Sequence, residues 1–148
     1  MRRRRLILGV VSFLSACRST FKTESFDSAQ KEVSVEDECD TQELRISLLD
    51  HPELNEVDGS AVVSFPDQFV HLLVVCIAKE RWIAVWKICT HGDCDVEWEK
   101  ESSLVECPCH GSLFDIDGRV LQGPAVRPLT TYAVCRKDDE LFLAQKES

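Results

Sequence analysis

The stretch Cys89-Thr90-His91-Gly92-Asp93-Cys94, followed by Cys107-Pro108-Cys109-His110-Gly111-Ser112, decides how this chain folds. We call these two stretches the first box and the second box. Together they place four cysteines and two histidines within 24 residues. Such a density of thiols and imidazoles is typical of a metal site and not of a hydrophobic core.

The number of candidate ligands indicates which kind of metal site the two boxes form. A structural zinc site usually uses pairs such as Cys-x2-Cys and stops at four ligands. The boxes carry six candidates, so two residues of each box can bind metal while the two remaining thiols join as a disulfide. Two cysteines and two histidines suit a diiron cluster in which imidazoles replace two thiolates on one iron. A zinc site and a disulfide-only module are the alternatives, and neither accounts for the spare pair.

Over roughly residues 44–145 the sequence resembles the disulfide-containing, respiratory-type branch of the Rieske iron-sulfur protein family. The paired boxes carry this resemblance. It implies an all-β fold, a Rieske-type antiparallel β-sandwich with a small cluster-binding subdomain formed by two loops. It also implies one 2Fe-2S cluster per chain.

The resemblance assigns a role to each ligand by its position in the boxes. Two thiolates bind the buried iron and two imidazoles bind the outer one: Cys89 and Cys107, then His91 and His110. The remaining pair, Cys94 and Cys109, forms the disulfide that clamps the loops together.

Other residues of the family pattern surround the cluster. The resemblance implies that Ser112 donates a hydrogen bond to a cysteine sulfur, and that the loop of Gly123 and Pro124 shields the cluster. Three positions depart from the pattern. Gly92 and Asp93 stand where the family usually has a large apolar residue followed by glycine, and Phe114 stands where respiratory members commonly have a tyrosine donor.

These departures bear on the reduction potential. Hydrogen bonds to sulfur stabilise the reduced cluster, so the missing tyrosine hydroxyl lowers the potential. Nearby carboxylates, among them Asp93 and Asp95, act in the same direction. We expect a potential that is positive but below the top of the Rieske range of about −150 to +300 mV.

The length and charge of the chain limit the number of domains and the classes of partner that it can bind. The 148 residues allow one domain with an adequate core. The formal net charge is −9, although Arg2 to Arg5 supply four of the 17 basic residues, so the remainder is more acidic still. This balance argues against nucleic-acid binding, and a partner that docks by electrostatics is expected to be basic.

The N-terminus has the pattern of a targeting signal. Arg2 to Arg5 form a basic region, and the uncharged run Leu6 to Ala16 is too short to span a bilayer as a helix. The run ends at Cys17 in a pattern that resembles a bacterial lipobox. We interpret residues 1–16 as a lipoprotein-type signal peptide, with twin-arginine export, an uncleaved membrane anchor and a buried helix as alternatives.

The rest of the chain divides in two. Residues 17–42 are polar and acidic and are interpreted as a tether anchored through the lipidated Cys17. Residues 43–148 form the Rieske domain. The expected location is the periplasmic side of a bacterial cell envelope.

Apolar alternation and turn residues predict the strands of the domain. Within residues 82–88, even-numbered positions share one face of a strand and Ile83 and Val85 share the other. The continuous apolar run Phe69 to Ala78 predicts a central strand. The remaining predicted strands are Leu44 to Leu48, Ala61 to Phe65, a small hairpin within residues 95–106, Thr130 to Arg136 and Leu141 to Ala144.

Three cysteines lie outside these assignments. Cys76 and Cys135 fall in apolar strands and are interpreted as buried thiols. The alternative is a second disulfide between them, which leaves Cys39 unpaired in the tether.

The resemblance implies one-electron transfer, by an electron-transfer subunit and not by a stand-alone catalyst. In respiratory relatives the cluster histidines accept a hydrogen bond from quinol, so the leading role is the iron-sulfur subunit of a quinol-oxidising cytochrome complex. The expected partners are therefore a cytochrome complex and quinol. The alternatives are a Rieske small subunit of an exported molybdenum oxidoreductase and, because of Gly92 and Asp93, a ferredoxin-like component of an oxygenase or reductase.

Overall fold

Two antiparallel β-sheets make up the part of the chain that the computed structural model describes, residues 44–146. The strands are β1 Leu44–Ser47, β2 Ser60–Phe65, β3 Val70–Ala78, β4 Arg81–Trp86, β5 Glu97–Glu99, β6 Leu104–Cys107, β7 Ser112–Phe114, β8 Val120–Gln122, β9 Thr131–Lys137 and β10 Glu140–Gln145. Short 3-10 turns cover Pro52–Asn55 and Pro66–Gln68. The prediction of an all-β, antiparallel fold is confirmed.

The larger sheet has six strands in the order β1-β10-β9-β4-β3-β2. One face of all six strands contributes to the first hydrophobic core, whose buried members include Ile46, Ala61, Leu72, Tyr132 and Leu141. The turn Pro52–Asn55 adds the fully buried Leu54, and the carbonyl of Leu54 accepts a hydrogen bond from Trp82 Nε1 at 2.8 Å.

The smaller sheet has four strands in the order β5-β6-β7-β8. The second core gathers Val96, Val105 and Phe114 of the smaller subdomain together with Val75 and Val85 of the larger sheet. Strands β3 and β4 therefore form a wall between two cores. Since successive side chains of a strand point to opposite faces, both strands must be apolar at nearly every position.

This wall explains the pattern of β4. Trp82, Ala84 and Trp86 belong to the first core, and Ile83 and Val85 pack against or within the second, as predicted from their alternation. The prediction that β3 is central is correct in that a core covers each of its faces, but it is wrong for the order of strands in the sheet. In strand order β3 lies next to the edge strand β2, and its apolar run reflects burial on both faces.

The two cysteines of the larger sheet differ from the prediction. Cys76 is a free, buried thiol, as expected. Cys135 is only half-buried and is disulfide-bonded, so its interpretation as a buried thiol is wrong. The alternative of a Cys76–Cys135 bond is wrong as well, because Cys76 is free.

The predicted signal peptide, Cys17, the predicted tether and Cys39 lie outside the described residues. Among residues 44–146, the structure contains no helix with the length and apolar character to cross a membrane.

Candidate metal centre

The first box is a loop that the end of β4 delivers and a backbone bridge closes. Beyond Trp86, the N–H of Cys89 donates to the carbonyl of Cys94 at 2.8 Å, and the N–H of Val96 donates to that of Lys87 at 2.7 Å. Lys87 Nζ also lies 3.1 Å from a carboxylate oxygen of Asp95. Both ends of the box are thus held to each other and to the larger sheet.

The second box is the turn between β6 and β7. Cys107 ends β6 and pairs directly with Ser112, which begins β7. The N–H of Gly111 donates to the carbonyl of Cys107 at 2.9 Å, and Gly111 has a φ of +73°. A residue without Cβ adopts this left-handed conformation without strain, so glycine suits the tight return of the chain.

A disulfide joins the two boxes. Cys94 and Cys109 are bonded with an S–S distance of 2.03 Å and a Cα–Cα distance of 6.4 Å. This pairing confirms the predicted disulfide. It leaves Cys89 and Cys107 as the free thiols of the two boxes.

These two thiols lie at the base of the site. Cys89 is 5% exposed and Cys107 is 1% exposed. Each sulfur accepts hydrogen bonds from backbone N–H groups two and three residues further along the chain: His91 and Gly92 for Cys89, and Cys109 and His110 for Cys107. The two boxes therefore form similar cradles for a negatively charged sulfur.

The pKa values of the two thiols move in opposite directions. Burial by itself raises the pKa of Cys89, but the backbone hydrogen bonds and those from Cys107 and Ser112 outweigh it and hold the pKa below its ordinary value. Burial raises the pKa of Cys107, and its hydrogen bond to Cys89 adds to the effect. The two sulfurs are thus hydrogen-bonded to each other at the base of the site.

The two histidines occupy the rim. His91 and His110 are exposed, and their ring centroids lie 4.8 Å apart in an edge-to-face arrangement with an interplanar angle of 80°. The site therefore has a base of two sulfurs and a rim of two imidazoles. The structure brings the two thiols into contact with each other, and likewise the two imidazole rings.

Ser112 connects the cradle to a third loop. It is fully buried, its hydroxyl is hydrogen-bonded to the sulfur of Cys89, and its Oγ accepts from the N–H of Ala125 at 3.0 Å. Ala125 follows Gly123 and Pro124, whose peptide bond is cis. The structure thus ties the predicted shielding loop to the base of the site.

Two further hydrogen bonds tie the same three loops, and the sequence analysis missed both. Thr90 Oγ1 donates to the carbonyl of Arg127 at 2.6 Å, and Gln122 Nε2 donates to that of Gly111 at 2.8 Å. The hydroxyl of Thr90 inside the first box was a signal that such a bond can form. Nothing local in the sequence distinguishes Gln122, because its partner lies 11 residues away.

Two of the three departures from the family pattern, Gly92 and Phe114, have different surroundings. A Cβ placed on Gly92 would meet no atom within 4 Å, so the rim is open at this position. Phe114 is fully buried in the second core, where its ring fills space next to the cysteines.

The donor set fits a 2Fe-2S cluster. It offers two buried thiols, whose thiolate charge backbone N–H groups can stabilise, and two accessible imidazoles. These are the ligand types of a cluster in which histidines bind one of the irons. Within residues 44–146, no three His, Cys, Asp or Glu side chains converge as the ligands of one metal ion would.

The fold and this donor set define the class of an iron-sulfur electron-transfer protein. The chain belongs to the Rieske [2Fe-2S] domain family, whose model matches residues 32–133. It therefore carries a 2Fe-2S cluster and transfers electrons.

Curated relatives agree with this assignment. The cytochrome b6-f complex iron-sulfur subunit of Parasynechococcus marenigrum is 41% identical over 98 residues, which cover 66% of this chain and 53% of that protein. The subunit of the same name in Chlorobaculum tepidum is 38% identical over 61 residues, 41% of this chain and 34% of that protein. The chain thus spans about a third to a half of the length of these relatives.

Solved structures share the fold. The cyanobacterial plasma membrane Rieske protein PetC3 from Synechocystis PCC 6803 superposes with a TM-score of 0.55 at 29% identity, over 69% of this chain and 99% of that one. The ferredoxin of carbazole 1,9a-dioxygenase from Nocardioides aromaticivorans gives a TM-score of 0.58 at 22% identity, over 72% and 99%. The second likeness concerns the fold alone.

Proposed function

We propose that this protein is the iron-sulfur subunit of a quinol-oxidising cytochrome complex. The observation that carries the proposal is the pair of exposed imidazoles of His91 and His110, held 4.8 Å apart on loops that a disulfide joins. The cytochrome b6-f subunits among its relatives support this role.

We propose the ligands by position and burial: Cys89 and Cys107 for the inner iron, and His91 and His110 for the outer one. When bound, the cluster supplies a one-electron couple. The backbone N–H groups of both boxes and the hydroxyl of Ser112 hold negative charge on the sulfurs. An imidazole has two nitrogens, so each histidine that binds iron keeps one for a hydrogen bond to a substrate hydroxyl.

An exposed apolar surface at the loop of Gly123 and Pro124 supports docking. Leu121 is 57% exposed and Val126 is 87% exposed, and the two residues flank the loop of Gly123 and Pro124. Exposed large apolar residues near a rim of polar groups are typical of interaction sites. We propose that this surface contacts the cytochrome subunit while a quinol hydroxyl approaches the imidazoles.

Two measurements test the proposal in order. Low-temperature electron paramagnetic resonance of the reduced protein should give a rhombic signal typical of histidine-ligated clusters, absent in Cys107→Ser. Purification of the full chain from its own membranes should then bring b-type haem and quinol-dependent reduction of the cluster. A large molybdopterin subunit in place of b-type haem would overturn the proposal and favour the molybdenum oxidoreductase.

One observation favours a second candidate, a ferredoxin-like component of an oxygenase or reductase. The open space at Gly92 gives a soluble partner access to the rim. If this candidate is correct, Gly92→Leu should slow electron transfer to a soluble acceptor while the reduction potential stays the same. An unchanged rate would count against it.

We further propose that the protein is attached to the periplasmic side of a bacterial envelope through lipidated Cys17, after removal of residues 1–16. The basic and apolar N-terminal pattern supports this proposal. Mass spectrometry of the membrane-derived protein should find acylated Cys17 as the first residue. An unmodified N-terminus upstream of Cys17 would favour an uncleaved anchor.

A further inference from the structure

The hairpin between β2 and β3 presents a phenylalanine to solvent at its tip. Phe69 is 84% exposed and has a φ of +55°. The left-handed region at positive φ crowds the Cβ of an L residue, so a bulky residue adopts it at a cost that glycine avoids. The position thus combines an unfavourable backbone conformation with an aromatic ring that the fold leaves uncovered.

Comparable turns of the described chain use polar residues. Among residues 44–146, four further non-glycine residues have a positive φ, and all of them are polar: Asp58, Glu80, Ser103 and Asp138. Within the same residues, Phe69 is the one apolar member of this set. It also belongs to neither hydrophobic core. Neither the turn nor the packing of the domain therefore accounts for an aromatic side chain at this position.

The tip of this hairpin lies at the same end of the larger sheet as the first box. Strand β3 runs antiparallel to β4, with Leu72 opposite Trp86. The start of β3 and the end of β4 are therefore at one end of the sheet, where β4 leads into the first box. Residues 66–69 join Phe65 to its cross-strand partner Val70, so they extend beyond this end.

Lys87 fixes the hairpin to the first box. The N–H of Lys87 donates to the carbonyl of His71, two residues beyond Phe69, at 3.0 Å. The carbonyl of Lys87 accepts from the N–H of Val96 at 2.7 Å, and its Nζ lies 3.1 Å from a carboxylate oxygen of Asp95. The hairpin and the first box are thus held to each other, so a contact made by Phe69 also orients the box.

We propose that Phe69 is an anchor residue, which inserts into an apolar pocket of the cytochrome subunit when the first box faces that partner. This inference rests on the proposed function, which supplies the partner. A projecting aromatic ring is the type of side chain that contributes most of the binding energy at many protein interfaces. An unfavourable backbone conformation is typical of residues that serve a function, and here the ring supplies that function.

The charges around the tip indicate what surrounds this pocket. Asp67, two residues before Phe69, is exposed, and so is Asp93 of the first box. The four residues 66–69 include no lysine or arginine. Like charges repel, so anionic lipid headgroups fit this tip poorly. An apolar pocket rimmed by lysine or arginine side chains of a protein complements both the ring and the carboxylates.

Phe69→Gly separates the role of the ring from that of the backbone. Glycine adopts a positive φ without crowding, so the midpoint of thermal unfolding of the full, cluster-loaded chain should rise by about 4 °C. Ser103→Gly makes the same backbone change in the turn between β5 and β6 and is the matched control. The reduction potential should equal that of the wild type in both variants. A lower midpoint in Phe69→Gly would show that the ring stabilises the fold and would overturn the proposal.

Docking is measured by adding the full, cluster-loaded chain to its own membranes after the native subunit has been removed. The readout is the concentration that gives half-maximal quinol-dependent reduction of the cluster. Phe69→Gly should raise this concentration at least about tenfold, because the ring no longer leaves water. Phe69→Tyr and Ser103→Gly should leave it unchanged. Equal concentrations for Phe69→Gly and the wild type would overturn the anchor, whereas no reduction of the wild type would overturn the proposed function and the partner named here.

Asp67→Asn distinguishes a protein pocket from a lipid surface. The variant should raise the half-maximal concentration at low salt, because it removes an attraction to the basic rim. The difference from the wild type should disappear in about 0.5 M salt. A lower concentration for Asp67→Asn would show that an anionic surface, such as lipid headgroups, receives the tip, and it would overturn the protein pocket.

Discussion

Ser112 shows how much one side chain contributes to the site. Its hydroxyl is hydrogen-bonded to the sulfur of Cys89 and accepts from the N–H of Ala125, so one buried oxygen links a candidate ligand to the covering loop. A hydroxyl can do both, because it has one donor and two acceptor lone pairs. Within the described residues, no buried side-chain nitrogen or oxygen lacks a hydrogen-bond partner.

Replacing Ser112 by alanine should lower the reduction potential. The lost donor stabilises the electron-rich reduced state, and a tenfold change in a one-electron equilibrium corresponds to about 60 mV. We expect a fall of about that size in a redox titration. Ser102→Ala, in the exposed turn between β5 and β6, is the matched control and should leave the potential unchanged. A Ser112→Ala potential equal to that of the wild type would show that this hydroxyl does not act on the cluster.

Cys76 should make stability depend on pH above the neutral range. Burial raises the pKa of this thiol from its ordinary value of 9.0, and a hydrogen bond from the backbone N–H of Ala78, which favours the thiolate, offsets only part of the effect. As pH rises, the unfolded chain therefore loses this proton first. The contribution of Cys76 to stability is complete below pH 9.0 and declines as pH rises toward the raised value.

This decline can be measured against a variant without the thiol. Between pH 8 and about pH 10, the free energy of unfolding should fall more for the wild type than for Cys76→Ala, by up to about 1.4 kcal/mol per pH unit. Denaturant titrations at each pH give both values. Parallel curves would mean that burial does not perturb this thiol.

Among the elements, the hairpin of β5 and β6 carries an unfavourable pair. Glu97 and Glu106 lie directly opposite each other across the two strands. Like charges in this position are destabilising, typically by a fraction of a kcal/mol. The two glutamates give the protein an acidic surface next to the first box, consistent with the expected basic partner.

Glu106→Gln should therefore stabilise the protein by about 0.2–1 kcal/mol at low salt. The gain should shrink in 0.5 M salt, because added ions screen the repulsion. Thermal unfolding at both salt concentrations measures it. Glu56→Gln, which changes an exposed glutamate outside the strands, should show no comparable gain.

The loops of the two boxes depend on their disulfide. The bond closes a separation of 15 residues, for which the loss of chain entropy in the unfolded state corresponds to about 3 kcal/mol. The double variant Cys94→Ser with Cys109→Ser should release its cluster at a lower urea concentration than the wild type. The visible absorbance of the cluster measures this release. An unchanged midpoint would show that the hydrogen bonds of Thr90, Ser112 and Gln122 suffice to hold the loops.

The sequence predicted those features that local patterns encode. The alternation of Trp82 to Val85 is a property of one strand, and the boxes contain both candidate ligand pairs within a few residues. The ties from Thr90 to Arg127 and from Ser112 to Ala125 were not predicted, since they join residues 37 and 13 positions apart and depend on how loops meet in space. The bonded state of Cys135 was missed because an apolar strand pattern does not reveal whether a cysteine in it is bonded.

In the molecule as a whole, the two cores have different relations to the cluster. Cys89 and Cys107 belong to the second core, and the first core contains none of the candidate ligands. Loss of the cluster therefore removes iron from ligands of the second core only. The larger sheet keeps its first core in either state.

Removal of the cluster by a chelator should consequently loosen the two subdomains unequally. We expect the amides of β6 and β7 to lose most of their protection from hydrogen exchange, while those of β9 and β10 stay protected. Exchange followed by mass spectrometry of both forms measures this difference. Equal loss in both sheets would show that the domain unfolds as one unit when the cluster leaves.

Strand β3 has a consequence for how the chain finds its fold. Its residues between Leu72 and Ile77 are apolar on both faces, so a pairing shifted by one position would exchange one apolar set for another. The correct pairing must therefore be specified by the turns that flank the strand. Gly59 provides one such constraint, because a Cβ there would lie 1.7 Å from the carbonyl oxygen of Glu53, and Phe69 provides another with a φ of +55°. The turns beside this wall, and not its apolar strands, therefore determine how its strands align.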